Sequence, residues 1–207
     1  MLASRAWALT WSVLRLVMTV AIVVAVVAQL AKTTETTLEL GKNLPMTIWN
    51  FFSFFTILSN VGAAAVLTWA AVWFLTRGRR DADGERITAV EPRGLAVTLA
   101  SVTTYMVITG VVYNLLLRNI VLPQGSEPVP WSNETLHLVG PLFLVLDLLV
   151  GPARRGLSWR TVWVILAFPL VWAAYTLIRG PLVTDPGGNP HYWYPYPFLN
   201  PKDRKST

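Results

Sequence analysis

The stretch Ile48–Leu75, IWNFFSFFTILSNVGAAAVLTWAAVWFL, holds no charged residue and is followed at once by Arg77, Arg79 and Arg80. A helix needs about 20 largely apolar residues to cross a hydrocarbon core of roughly 30 Å. This stretch exceeds that length and predicts a membrane span. Four comparable runs accompany it, so spans are expected over 9–31, 46–75, 94–118, 132–150 and 159–179. The fourth is short and contains Pro141, which a bundle tolerates when neighbouring helices satisfy the freed carbonyl. No internal repeat or linker separates the runs. The expected fold class is therefore all-α, a single integral membrane helical bundle over 1–207 with five readable transmembrane helices.

Composition agrees. Of 207 residues, 54% are hydrophobic and only 14% charged, whereas a soluble domain carries about a quarter charged residues. The absence of cysteine excludes a disulfide framework, a cysteine nucleophile and thiolate metal sites. The net charge of +6 collects in alternate segments: Arg5, then Arg77 to Arg93, then Arg154, Arg155 and Arg160. By the positive-inside rule these segments and the amino terminus are expected in the cytoplasm. The basic loops are short and lack interleaved aromatics, so nucleic acid is not an expected partner. Val26-Val27-Ala28 looks like a signal cleavage site. The apolar stretch counted from Trp7 nevertheless exceeds the usual h-region of about 7–15 residues, so an uncleaved anchor is expected.

From 180 to 207 the chain turns to Pro, Gly, Tyr and Trp, which predicts an irregular tail with aromatics in the membrane interface. His191 lies there and would approach a site in the bundle only if the tail folded back.

Polar residues within the spans carry the functional information, because burial costs energy unless they find partners. Ser53, Thr56 and Asn60 share a face of the second span, and Ser101, Tyr105, Thr109 and Tyr113 share a face of the third, followed by Asn114. Taken alone, each stripe reads as helix-to-helix hydrogen bonding. His137 differs in kind, being the only histidine in any span, close to a helix start that Ser132 or Asn133 can cap. Without a second histidine or an acidic cluster beside it, no metal and no cofactor are expected. Asp147 is expected to pair with Arg154 or Arg155, and Glu134 to be a solvated first-turn carboxylate. Counting 1.5 Å per residue, Thr56 lies roughly 15 Å and His137 roughly 8 Å from the outer ends of their helices. A hydroxyl and an imidazole in one leaflet are the minimal pair for nucleophilic catalysis. Asn114 reaches the same layer, where it can hold an oxyanion or orient the imidazole.

With Phe51-Phe52-Ser53-Phe54-Phe55-Thr56-Ile57-Leu58-Ser59-Asn60, His137-Leu138-Val139-Gly140-Pro141 and Tyr194-Pro195-Tyr196-Pro197-Phe198-Leu199-Asn200, the chain resembles a bacterial branch of the androgen-induced-protein family. The resemblance runs over nearly the whole length and rests on the order and spacing of short motifs. It implies a membrane hydrolase of fatty acid esters of hydroxy fatty acids, with Thr56 as nucleophile and His137 as general base. The expected partner is a lipid or fatty-acyl ester substrate, and Asn114, Asn60 and Ser53 are the remaining polar candidates. Members of that family have six spans, and five are readable here. The alternative is a non-catalytic lipid-binding or transport protein whose polar layer holds a headgroup. A bundle whose polar residues serve packing alone is the third reading. The nearly charge-free midplane argues against coupled ion transport.

Overall fold

Ser4 starts the first helix by accepting a hydrogen bond from the Trp7 amide, and α1 then runs unbroken over Arg5–Glu39. Its 35 residues make it about 50 Å long, well past the predicted end at 31. The extension carries Lys32 to Glu39 beyond the apolar run. The computed structural model of the chain describes residues 3–78, 86–87, 89–120, 122–123, 125–183 and 192–200. His191, Arg79 and Arg80 lie outside the described residues.

After α1 come α2 (Leu44–Phe51), capped by the Asn43 side chain, and α3 (Phe55–Trp73), which continues as a π-turn over Phe74–Gly78. Next is α4 (Arg93–Val112), which ends in a π-turn over Tyr113–Leu117. The fourth span joins α5 (Pro130–Glu134) to α6 (Gly140–Val150) through a third π-turn, Thr135–Val139. Helix α7 (Thr161–Arg179) closes with a 3-10 turn over Gly180–Leu182. Five helical segments are long and apolar enough to cross a membrane: Arg5–Glu39, Phe55–Gly78, Arg93–Leu117, Pro130–Val150 and Thr161–Leu182. The fold is thus the helical membrane bundle expected from the runs. A short antiparallel pairing joins Ala3 to Ile87 and Ser4 to Arg86.

Helix α1 packs along α3, α3 along α4 and α4 against α6, while α7 lies outside against α4. Ile22, Phe55, Leu67, Met106 and Leu144 meet in the core. Helix α7 buries only Thr161 and Thr176. It docks through aromatics: Trp172 and Phe168 pack on Phe55, and Tyr105 donates to the Ile165 carbonyl at 2.8 Å.

The run expected as one helix over 46–75 is broken at Phe52-Ser53-Phe54. Tight bonds from the Ser53 and Phe54 amides to the Asn50 and Phe51 carbonyls end α2, and Phe54 is extended before α3 starts. The Ser53 hydroxyl donates to the Trp49 carbonyl, and the Trp172 indole donates to the freed Ser53 carbonyl at 3.0 Å. Irregular backbone at membrane depth persists where protein supplies its hydrogen bonds. The expected caps are also corrected. Val129 precedes the fourth span without a side-chain cap; Ser132 instead donates to the Ala25 carbonyl and Asn133 to the Tyr113 hydroxyl.

At the basic end, Asp147 is fully buried and accepts hydrogen bonds from Arg15 Nε at 2.8 Å, from the Trp11 indole and from Arg154. The Arg154 pairing matches expectation. Arg15 is the additional partner, an arginine inside a span and itself only 3% exposed. Glu91 joins the group through Arg154 and accepts from Arg155. Removing one member of a buried pair strands the other, at a cost of about 3–5 kcal/mol. Asp147→Ala is therefore expected to lower the melting temperature of the detergent-solubilised protein sharply. The double change Arg15→Met, Asp147→Leu should recover most of that loss.

Candidate functional site

At the opposite end of the bundle lies a cavity of about 740 Å³. Lys42, Arg118 and Glu127 stand among its polar lining residues, while Phe51, Phe54, Ile57 and Leu136 make apolar walls. Thr56 and His137 both line it.

Thr56 is the second residue of α3, in the turn created by the break. Helix first turns have unpaired amides, and Phe54 caps this one with no side chain. The partner comes from the tail. The Tyr196 hydroxyl accepts the Thr56 amide at 3.3 Å and lies 3.2 Å from the Thr56 Oγ1. The described tail, residues 192–200, thus folds back into the bundle, which corrects the expected interfacial anchor. Trp193, Tyr194 and Tyr196 are buried. The Trp193 amide bonds the Gly180 and Val183 carbonyls, and its indole donates to the Pro123 carbonyl. Tyr196 packs against Phe54, Trp172 and Phe198. Burial pushes its phenol above the usual range, so the hydroxyl keeps its proton.

His137 sits in the π-turn Thr135–Val139, half-buried, with its ring stacked on Tyr113 at 3.6 Å between centroids. Its Nδ1 lies 2.9 Å from the Asn133 carbonyl. A carbonyl only accepts, so Nδ1 carries a proton, and in the neutral ring Nε2 keeps a lone pair. Tyr113 itself opens the second π-turn, and such turns recur at functional sites.

The other candidates divide. Asn60, fully buried, donates to the Thr56 carbonyl at 2.9 Å and the Leu136 carbonyl at 3.2 Å. It ties the first turn of α3 to the residue before His137. Asn114 donates to the Gly110 carbonyl at 2.8 Å and the His137 carbonyl at 3.0 Å, while its oxygen accepts from Arg118. Both of its amide hydrogens are thus committed to backbone, so it holds the histidine's main chain; neither an oxyanion nor the imidazole is its partner. Ser53 lies away from the cavity, bonded to the Trp49 carbonyl and 3.2 Å from the Tyr175 hydroxyl. Glu134, expected as a solvated carboxylate, makes a two-pronged pair with Arg118 at 2.7 and 3.0 Å. Thr56 and His137 share the cavity without a hydrogen bond to each other. Among the described residues no group of His, Asp and Glu is arranged to hold a metal.

Tyr196 is the residue that sequence reasoning missed. Its signals are its place in the Tyr194–Asn200 motif and the prolines on either side, Pro195 and Pro197. No protein-family model, curated protein or solved structure matches the chain.

Gly110 faces the histidine turn. A Cβ there would lie 3.0 Å from Pro141 Cβ and 3.1 Å from the His137 carbonyl oxygen. Overpacking of this kind costs about 1–3 kcal/mol. Gly110→Ala should therefore lower thermal stability in detergent and displace the histidine turn. Thr104→Ala, at an exposed position bonded only to its own helix, should change stability by less than about 0.5 kcal/mol.

Proposed function

We propose that the cavity is the active site of an intramembrane lipid ester hydrolase, with Thr56 as nucleophile and His137 as general base. The observation that carries this reading is the imidazole: its Nδ1 is spent on the Asn133 carbonyl, and it lines the same cavity as the Thr56 hydroxyl. That tautomer leaves Nε2 as the nitrogen able to take a proton. The threonine oxygen attacks the ester carbonyl, its proton passes to His137 Nε2, and the leaving alkoxide receives that proton. Water activated by the same nitrogen then releases the acyl group. Catalytic hydrogen bonds commonly tighten only in the substrate complex, which accommodates the lack of a direct Thr56–His137 bond. Phe51, Phe54, Ile57 and Leu136 suit an acyl chain, and the polar residues around Arg118 suit its headgroup. The class of substrate, a fatty-acyl ester such as a fatty acid ester of a hydroxy fatty acid, follows from the family resemblance. The cell membrane is the proposed location, with the amino terminus in the cytoplasm and the cavity on the outer side, a reading supported by the positive-inside rule.

A second reading draws on the bond between Thr56 and Tyr196. A hydroxyl already partnered at rest also suits a non-catalytic lipid-binding or transport protein that holds a headgroup in the same cavity.

Purified protein in lipid nanodiscs, given a fluorogenic fatty-acyl ester, separates the two. Turnover is expected, together with labelling of Thr56 by a fluorophosphonate probe. Thr56→Ala should abolish both, and His137→Ala should slow turnover about 10²- to 10⁴-fold, the usual worth of general base catalysis. Unchanged turnover in both variants would sink the assignment. Retention of lipid without hydrolysis, indifferent to both changes, would favour the second reading.

A further inference from the structure

We propose that Tyr196 is a catalytic residue, its hydroxyl fixing the direction of the Thr56 proton and stabilising the charge that develops when Thr56 attacks. The inference rests on the hydrolase reading above. Two contacts define the geometry: Thr56 N–H donates to Tyr196 Oη at 3.3 Å, and Tyr196 Oη stands 3.2 Å from Thr56 Oγ1. In the proposed arrangement the phenol oxygen accepts the amide and its own hydrogen is donated to Oγ1. The threonine hydrogen is then left free to point into the cavity, toward the base. As the bond from Oγ1 to the acyl carbon forms, the threonine proton leaves for His137 Nε2, and the carbonyl electron pair moves onto oxygen. Tyr196 keeps its proton throughout. As that charge builds, the Tyr196 hydrogen turns from Oγ1 to the carbonyl oxygen while the Thr56 amide keeps the phenol oxygen in place, and a preorganised donor of this kind is the usual means of stabilising an oxyanion.

The alternative role is mechanical, since Tyr196 also anchors the tail. The rings around it separate the two roles: its packing on Phe54, Trp172 and Phe198 does not involve the hydroxyl. Tyr196→Phe therefore keeps the tail docked while removing the donor. Trp193→Phe loosens the tail at the Pro123 carbonyl without undocking it, and leaves the Tyr196 hydroxyl on Thr56.

The experiment measures turnover of a fluorogenic fatty-acyl ester, fluorophosphonate labelling rate at Thr56 and melting temperature for wild type, Tyr196→Phe and Trp193→Phe. Loss of one such donor typically costs about 10²- to 10³-fold in kcat. Tyr196→Phe is expected to show that fall in kcat and a parallel fall in labelling, with KM within about twofold of wild type and only a modest drop in melting temperature, because the Thr56 amide loses its acceptor. Trp193→Phe should lower melting and leave kcat within a fewfold. Wild-type kcat and labelling in Tyr196→Phe would overturn the inference alone, as would an equal loss of kcat in both variants. A wild-type protein that neither turns over nor labels would overturn the threonine reading and this inference with it.

Discussion

Asn60 donates to two carbonyls, those of Thr56 and Leu136, from a position with no exposure to solvent. The need behind that bond governs this end of the bundle. In hydrocarbon, a backbone carbonyl released from its helix has no water to turn to, so each break or π-turn requires a donor from a neighbouring element. Asn114 meets the carbonyls of Gly110 and His137, and the Trp172 indole meets that of Ser53. Three side-chain donors thus hold the α2–α3 break and the two π-turns around the cavity. The same bonds explain why polar residues are placed where they are, since two of the three donors are asparagines in otherwise apolar spans.

This accounting also sorts the polar stripes. Ser101 returns its hydroxyl to the Val97 carbonyl four residues back on its own helix. Such back-bonding satisfies a buried hydroxyl locally and leaves nothing for chemistry. Ser59 and Thr109 reach across from α3 to α4 at 3.0 Å, which is the packing role anticipated for the stripes. Thr56 and His137 stand apart from this pattern. The threonine hydroxyl meets a partner far away in sequence, and the imidazole retains one nitrogen after its local bond.

Span number and order were legible because hydropathy and length decide whether a helix can cross a bilayer. The break at Phe52–Phe54 was not legible, because an apolar run carries the same hydropathy whether or not it is continuous. What interrupts it is supplied from elsewhere: Trp172 on α7, and the rings of Trp193 and Tyr196 set edge-on to Phe54. Helical spacing placed Thr56 and Asn60 on one face, and they remain one turn apart in α3. That regularity did not extend back to Ser53, which the break turns toward Tyr175. The tail was misread for a related reason. Aromatic residues between prolines suit a membrane interface and a buried plug equally well, and only the uncapped start of α3 distinguishes the two.

The opposite end of the bundle shows why a cavity can be tolerated at all. There Asp147 gathers Trp11 and Arg15 from α1 and Arg154 from the loop after α6. A buried carboxylate with several donors fixes the relative position of those elements, since any slip would leave a charge unpaired in a low-dielectric setting. Helices pinned at one end can diverge toward the other without losing register. The void that results costs packing contacts, and the polar and aromatic groups lining it recover only part of them. The tail recovers more, because Trp193, Tyr194 and Tyr196 bury their rings at that same end. Tail docking and the first turn of α3 are therefore coupled: the ring burial that offsets the open end also carries the Tyr196 hydroxyl to the Thr56 amide, so a change that undocks the tail also uncaps the helix bearing the proposed nucleophile.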